Sequence, residues 1–228
     1  MAQSAGGMRG FYLGLGALAV AGLGWLGYQL TKPSSASIPA NVTVQPADTA
    51  GFRGYVLGSD TAPVEITEYA DYQCPFCANF SLVEFPDIKS RLIDAGRVRW
   101  RYRDYPLDAI HPSARVSAHA AACADEQGKY WPVHHLIYQG QSDWARGGAG
   151  RILRGYAEAA QLDLAKYDDC MKSARYAGRI QASLQEGTAL GVNGTPTFLI
   201  EGRLFQAREA RYDRIRAIVD SLIAARQP

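Results

Sequence analysis

Two cysteines spaced as Cys-x-x-Cys, Cys74 and Cys77, are the residues of this sequence best placed to do chemistry. A cysteine attacks only as a thiolate, and an unperturbed thiol with a pKa of about 8.5 is mostly protonated at neutral pH. Pro75 suits the first turn of a helix, which would place Cys74 at the helix N-terminus, where unpaired N–H groups stabilise an anion. Cys77 would lie one turn further on, within reach of a mixed disulfide at Cys74. The spacing therefore predicts a redox pair in which Cys74 attacks and Cys77 resolves.

Two other uses of the same pair have to be weighed. A closed zinc site needs four ligands, and neither the remaining cysteines, Cys123 and Cys170, nor the scattered histidines supply a second pair at suitable spacing. A purely structural disulfide is the other alternative, although a two-residue loop at a helix start suits redox exchange better. We therefore expect no metal and no cofactor other than the Cys74–Cys77 disulfide itself.

The residues around the pair predict a strand followed by a helix. Residues 64–69 are β-branched and alternate in polarity, which is typical of a strand. Residues 78–93 carry apolar side chains at helical spacing, and Pro86 inside this stretch should kink or divide the helix. The cysteines would thus lie at a strand-to-helix junction.

The rest of the chain completes a familiar order of elements. A second strand is expected at 98–102, a helical block at about 108–190, a hairpin with glycine in its turn at 197–205, and a last helix at 210–225. Without the helical block, the order is β-α-β followed by β-β-α, a small mixed sheet covered by helices. The sequence therefore predicts an α/β, thioredoxin-like fold with a mixed central sheet and an inserted helical domain.

The N-terminal region differs in composition from the rest. Residues 11–30 carry no charge, and twenty helical residues span roughly 30 Å, the thickness of a bilayer core. The bias of positive charge favours a cytoplasmic segment at 1–10 and an extracytoplasmic domain at 51–228, joined to the anchor by a Ser- and Pro-rich linker at 31–50. A single-pass anchor in the cell membrane is thus expected. The alternative is a cleaved signal and a soluble periplasmic protein, although its apolar segment is usually shorter.

The charge of the chain gives no reason to propose nucleic acid as a partner. The net charge is +2, and basic residues are interspersed with acidic ones. Four arginines alternate with Val98, Trp100 and Tyr102, which is typical of a strand with one solvated and one buried face. The arginines expected on the solvated face are Arg97, Arg99, Arg101 and Arg103.

Two segments resemble the DsbA family of exported thioredoxin-fold oxidoreductases. The segment ADYQCPFCANF resembles that family's active site, GVNGTPTFLIEGR resembles its later loop and hairpin, and the resemblance runs from about Gly51 to the end. It implies that Cys74 and Cys77 are the redox pair and that Pro196 is a cis-proline facing them. Thr195, just before it, would offer backbone hydrogen bonds to an extended substrate. Pro75 and Phe76 would adjoin the same substrate-binding surface.

The resemblance also implies a role for Glu68, six residues before Cys74. Family members carry a buried acid there that assists proton transfer, and strand alternation places Glu68 on the same face as Val64 and Ile66. A buried carboxyl with a raised pKa could shuttle the proton of Cys77. The alternative is a satisfied structural acid, or an ion pair with one of the arginines.

The cysteines outside the motif are predicted to form a structural bridge. The segments around Cys123 and Cys170, CADEQGKYW and YDDCMKS, resemble family branches that have an extra disulfide in the helical domain. Two free buried cysteines are the alternative. The aromatic residues nearby are expected in the helical core rather than on a docking surface: Tyr130, Trp131, Tyr138 and Trp144.

One residue departs from the family pattern. The best-known members have histidine at the position of Phe76, which offers no charge or N–H to a thiolate, so we expect a less acidic Cys74 and a milder oxidant. The resemblance implies an oxidase for exported client proteins with free cysteines, recharged by a membrane partner of the DsbB or VKOR type. The alternatives are a reductase or isomerase of the same fold, and a membrane-tethered binding module or chaperone with a structural C-x-x-C.

Overall fold

The computed structural model of the protein describes residues 6–31 and 37–226. Contacts divide the chain into two compact units, Met1–Ser34 and Ser35–Pro228. Residues 1–5 of the predicted cytoplasmic segment and residues 32–36 of the predicted linker lie outside the described residues.

The first unit consists of one helix, α1 (Gly6–Thr31). Within it, residues 10–27 form a stretch that is long and apolar enough to cross a membrane, and a signal sequence near an N-terminus passes the same test. The apolar helix expected at 11–30 is therefore present, while the choice between anchor and signal stays a prediction.

A single mixed sheet of five strands lies at the centre of the second unit, in the order β1-β3-β2-β4-β5. The parallel pair β2–β3 flanks the active-site helix, as a strand–helix–strand crossover requires, and the other neighbours are antiparallel. The strands are β1 (Tyr55–Leu57), β2 (Val64–Ala70), β3 (Val98–Asp104), β4 (Thr197–Ile200) and β5 (Arg203–Gln206). The predicted strands and hairpin are confirmed. Glu201 and Gly202 both have positive φ in the hairpin turn, as a two-residue turn of type I′ requires.

The helix that follows the cysteines is divided, as Pro86 predicted. Two α-helical segments, α3 (Pro75–Asn79) and α4 (Phe85–Ile88), alternate with π-helical turns at Phe80–Glu84 and Lys89–Ile93. Pro86 lies in the first turn of α4, where a missing backbone N–H costs least. The π-helical turn before α4 is wider than an α-helical turn, so the helix can continue past Pro86, whose ring would clash inside an unbroken α-helix.

The helical insertion contains six helices between β3 and β4. They are α5 (Ala114–Asp125), α6 (Tyr130–Gln139), α7 (Gln141–Trp144), α8 (Ala149–Ala159), α9 (Leu164–Ser173) and α10 (Ala177–Ala189), and α11 (Tyr212–Ala224) follows the hairpin. Tyr130, Tyr138 and Trp144 are buried in this insertion, and Trp131 is half-buried, so the predicted aromatic core is confirmed. The active-site helix packs on the sheet through Phe80, whose ring centroid lies 4.6 Å from that of Phe198.

Part of the predicted linker is folded onto the second unit. Ile38 is buried, and the short helix α2 (Pro46–Thr49) contacts α10. The contact depends on Gly178, because a Cβ at this position would overlap the Asp48 carboxylate. From residue 38 onward, the chain is therefore attached to the domain rather than free of it.

The prediction of a solvated arginine face on β3 is wrong for its last member. Arg103 is buried and pairs with Glu186 of α10, and Arg99 and Arg101 are half-buried with Glu65 as a shared partner. Alternation along the strand correctly predicted the buried partners, but it carries no information on whether a helix covers the other face.

The predicted bridge between Cys123 and Cys170 is confirmed. It joins α5 to α9 with both residues fully buried. The Nδ1 atom of His119 lies 3.4 Å from the sulfur of Cys123, and its Nε2 accepts the N–H of Tyr176. His119 is thus part of the packing around the structural bridge.

Candidate active site

The redox pair occupies the start of the active-site helix. Cys74 is the N-cap residue of α3, with extended backbone, and Pro75 follows in the first turn. Both cysteines are free thiols and both are buried, Cys77 completely. The backbone N–H of Asp71, at the end of β2, lies 3.5 Å from the Cys77 sulfur. The predicted strand-to-helix junction thus places both sulfurs at the N-terminal end of α3.

The two thiols have opposite acidities. A hydrogen bond from the Cys77 thiol is the main cause that lowers the pKa of Cys74 to about 6. Burial opposes this, and a hydrogen bond with Thr195 and the N–H groups of Cys77 and Phe76 lower the pKa further. Burial, followed by the shared hydrogen bond with Cys74, raises the pKa of Cys77 well above its ordinary value. At neutral pH, Cys74 is therefore the thiolate and Cys77 holds the proton.

This difference can be measured directly. We expect the thiolate absorbance of the reduced protein to titrate with a midpoint near the Cys74 pKa of about 6, well below the ordinary thiol pKa of 9.0. Because the pKa is lowered on folding, the thiolate stabilises the reduced fold fully above about pH 9, and this contribution is lost as the pH falls through about 6. In Cys77→Ala, which lacks the main hydrogen-bond donor, the midpoint should rise. A wild-type midpoint near 9.0 would contradict the assignment.

Thr195 and Pro196 lie opposite the pair. The peptide bond between them is cis, and the Thr195 carbonyl oxygen lies 3.4 Å from the Cys74 sulfur. The hydroxyl of Tyr105 donates to the Val192 carbonyl at 2.6 Å and so fixes the start of this loop. The predicted placement of the cis-proline is confirmed.

Glu68 is buried on β2, in register with Tyr102 of β3. Burial raises its pKa to about 8, and the only opposing influence is the Trp100 indole N–H, 3.3 Å from one carboxyl oxygen. Among the described residues, the other oxygen has no partner and no arginine pairs with this side chain. Glu68 is thus buried, as expected, and in the described part of the chain it forms no ion pair, while its role in proton transfer stays a prediction. A charge on Glu68 would raise the pKa of Cys77 further, so the two groups are electrically coupled.

Asp71 is a site residue that the sequence analysis did not identify. Its buried carboxylate accepts the N–H groups of Gln73 and Leu107, both at 2.7 Å, and the Nδ1–H of His111 at 2.8 Å. Burial raises its pKa, and the hydrogen bonds from Leu107 and His111 oppose this. The bond to Gln73 forms an Asx-turn, so the aspartate three residues before Cys74 was the available sequence signal for this role. The partners at 107 and 111 could not be read from the sequence.

Apolar side chains are exposed beside the pair. Phe76, between the two cysteines, is 68% exposed, and Leu82 and Val83 are exposed on the π-helical turn that follows. Pro75 is exposed as well. These residues give the site an apolar rim next to a buried thiolate.

Comparison with known proteins agrees with this geometry. The family model described as thioredoxin matches residues 52–221. The chain belongs to the thioredoxin family.

DsbA from Chlamydia trachomatis is similar in fold, with a TM-score of 0.71, 20% identity, and 83% of this chain and 100% of that chain covered. BdbD from Bacillus subtilis, in its oxidised form, has a TM-score of 0.67 and 22% identity, with 74% of this chain and 92% of that chain covered. A thioredoxin-like oxidoreductase from Silicibacter pomeroyi has a TM-score of 0.63 and 26% identity, with 81% of this chain and 100% of that chain covered. The predicted thioredoxin-like, DsbA-like fold is confirmed.

Curated relatives have a different name. The chain is 37% identical to Na(+)/H(+) antiporter NhaA 3 of Salinispora tropica and 35% identical to NhaA 1 of Salinispora arenicola, each over 151 residues. Each match covers 66% of this chain and 22% of the antiporter. This chain therefore spans about a fifth of the length of those relatives, and the transport activity in their names is not transferred to it.

Proposed function

We propose that the chain is an extracytoplasmic oxidase that introduces disulfide bonds into exported proteins by exchange at Cys74 and Cys77. The observation that carries this proposal is the acidic Cys74 at the helix start, which lies next to a fully buried Cys77 and faces the Thr195 carbonyl. A thiol of low pKa leaves readily, so the Cys74–Cys77 disulfide passes readily to a client.

The exchange proceeds in two displacements. A client thiolate attacks the Cys74 sulfur of the disulfide, the Cys74–Cys77 bond breaks, and Cys77 leaves with the electron pair and takes up a proton. The second client thiolate then attacks the client sulfur of the mixed disulfide, and Cys74 leaves as a thiolate. The client loses two electrons and two protons, the cysteine pair gains the two electrons, one proton stays on Cys77 and the other goes to solvent.

Glu68 supplies the proton that Cys77 takes up. With a pKa of about 8, its carboxyl is protonated at neutral pH, and because the pKa of Cys77 lies well above the ordinary 9.0, the proton moves from the carboxyl to the leaving sulfur. The carboxylate then takes up one of the two protons that the client releases, and the same relay would run in reverse when the pair is reoxidised.

The variant Glu68→Gln tests this role. Because folding raises the pKa from 4.5 to about 8, stability falls as the pH rises from 4.5 to 8. Removing the acid should therefore raise the free energy of unfolding at pH 7 by about 3 kcal/mol and flatten this pH dependence. Client oxidation should slow by about tenfold or more.

The matched control for this variant is Glu65→Gln, on the same strand but with an exposed side chain. Its stability should change by less than about 1 kcal/mol, and its exchange rate should not change. Equal rates for Glu68→Gln and wild type would contradict the proton-transfer role.

The client is expected to bind in an extended form. Phe76, Leu82 and Val83 offer an apolar surface to a chain that has not yet folded, and the backbone of Thr195 offers hydrogen bonds beside the reacting sulfur. Unfolded proteins expose both apolar side chains and backbone groups, so this surface suits clients with free cysteines.

The cellular setting is part of the proposal. The disulfide between Cys123 and Cys170 is typical of an oxidising compartment, and α1 would anchor the domain in the membrane. A membrane partner of the DsbB or VKOR type would then reoxidise the pair. With a cleaved signal, the same domain would be soluble and periplasmic.

A reductase or isomerase is the second candidate, favoured by Thr195 before the proline. Incubation of the oxidised full-length protein in detergent with a reduced, unfolded client separates the possibilities, because client thiols and client activity report oxidation. We expect the wild type to oxidise the client, up to one client disulfide per Cys74–Cys77 disulfide supplied, and Cys74→Ala to oxidise none. Reduction of insulin disulfides without client oxidation would favour the reductase, and neither activity would favour a binding module or chaperone.

A further inference from the structure

A glutamine of the helical insertion contacts the turn that carries the nucleophile. The side-chain amide of Gln141, the first residue of α7, donates to the Tyr72 carbonyl at 2.6 Å and to the Cys74 carbonyl at 3.0 Å. An amide NH₂ group has two protons, so it can serve both acceptors at once. One side chain thus binds the residues on both sides of Gln73, although 67 positions separate it from Cys74.

Gln73 ties the same turn to the insertion in the opposite direction. Its Nε2 donates to the Ala145 carbonyl at 2.9 Å, directly after α7, and its Oε1 accepts the N–H of Ser113 at 2.7 Å, directly before α5. Together, Gln73 and Gln141 fix the turn between β2 and the active-site helix from two sides.

The charge distribution explains why this contact matters for chemistry. Carbonyl oxygens carry partial negative charge, and the two that Gln141 binds belong to Cys74 itself and to Tyr72, two residues before it, in the turn whose sulfur must exist as a thiolate. The N–H groups of α3 stabilise that thiolate, whereas partial negative charge on carbonyls of the same turn acts against them. The Cys74 carbonyl also accepts the N–H of Ala78 at 3.1 Å, so Gln141 is a second donor there, and it donates to the Tyr72 carbonyl as well. Gln141 thus offsets partial negative charge on both carbonyls and holds the turn in the orientation that aims the helix N–H groups at the sulfur.

We infer that Gln141 is a positioning residue of the exchange reaction, through which the helical insertion sets the redox equilibrium of the Cys74–Cys77 pair. This inference rests on the proposed function, since it assigns the insertion a part in that chemistry beyond covering the site. Gln141 touches neither sulfur and acts through the backbone of the turn.

The test compares Gln141→Ala and Gln141→Glu with a matched control, Gln127→Ala. Gln127 lies in the same insertion and also makes two backbone hydrogen bonds, both to Asp163, far along the chain from the turn. Loss of Gln141 should raise the midpoint of the thiolate titration by about half to one pH unit. The equilibrium constant with glutathione should shift by about threefold or more towards the disulfide form.

The Glu variant should shift both quantities further in the same direction, because it removes the donors and adds negative charge near the thiolate. The control should lose stability without changing either quantity. If Gln141→Ala does not fold, Gln141→Met keeps the side-chain volume without the donors and should raise the midpoint in the same way.

Wild-type values of both quantities in Gln141→Ala and Gln141→Glu would overturn the inference. The thiolate titration needs no client, so it tests Gln141 even if the oxidase proposal is wrong. Conversely, failure of the wild type to oxidise clients would contradict the proposed function while leaving a shifted titration in the variants as support for the positioning role.

Discussion

Replacement of Cys77 by alanine should turn the chain into a trap for its clients, with turnover lost and mixed disulfides accumulating on Cys74. Without Cys77, no buried thiol can attack the mixed disulfide from the helix side. Cys74 stays reactive, because the N–H groups of Phe76 and of residue 77 still stabilise its thiolate. The trapped species should appear as adducts that are cleaved by reductant, when full-length protein is recovered from cells under thiol-blocking conditions.

The control for this experiment is the double variant Cys74→Ala/Cys77→Ala, which keeps the exposed Phe76 surface but has no sulfur in the motif. It should recover no adducts. If Cys77→Ala also yields none, neither the oxidase nor the reductase reading of the motif survives, and the binding-module alternative gains support.

Removal of the second disulfide should have the largest effect on stability. The double variant Cys123→Ala/Cys170→Ala opens a link between residues separated by 47 positions. In the chain-entropy model, such a link stabilises the folded state by about 4 kcal/mol, because it limits the unfolded chain. Denaturant unfolding of the variant should show a loss of this order. The cavity left by the two sulfurs in the core between α5 and α9 would add to the loss.

The same variant should keep its redox chemistry. The Cys123 sulfur lies 3.4 Å from Nδ1 of His119, which lies 3.4 Å from the Met171 sulfur, and in the described part of the chain neither bridge cysteine hydrogen-bonds to the C-x-x-C turn. The thiolate titration of Cys74 should therefore be unchanged under conditions where the variant is folded. Stability within about 1 kcal/mol of wild type would contradict a structural role for the bridge.

Local pattern was sufficient to predict the parts of the site that are contiguous in sequence. The β-branched run at 64–69, Pro75 in a first helical turn, and the Cys-x-x-Cys spacing each have a local physical cause, and together they placed the redox pair at a strand-to-helix junction. The π-helical turns around Pro86 follow from the same local chemistry.

Contacts between distant segments were not accessible in the same way. Strand β1 has only three residues and owes its place to pairing with β3. Asp71 and Gln141 are defined as site residues by partners 36 to 69 positions away. Arg103 was expected in solvent because alternation cannot show that α10 covers its face. In each case, tertiary packing supplied the information.

Equilibration of the Cys74–Cys77 pair with glutathione tests the central claim most directly. A pKa of about 6 for Cys74 lies between the values of about 7 for thioredoxin and about 3.5 for DsbA. We therefore expect a fully reversible disulfide with a reduction potential between about −270 mV and about −120 mV, the values of those two proteins. A potential at or below that of thioredoxin would contradict the oxidase, and a pair that never forms a disulfide would contradict the redox centre itself.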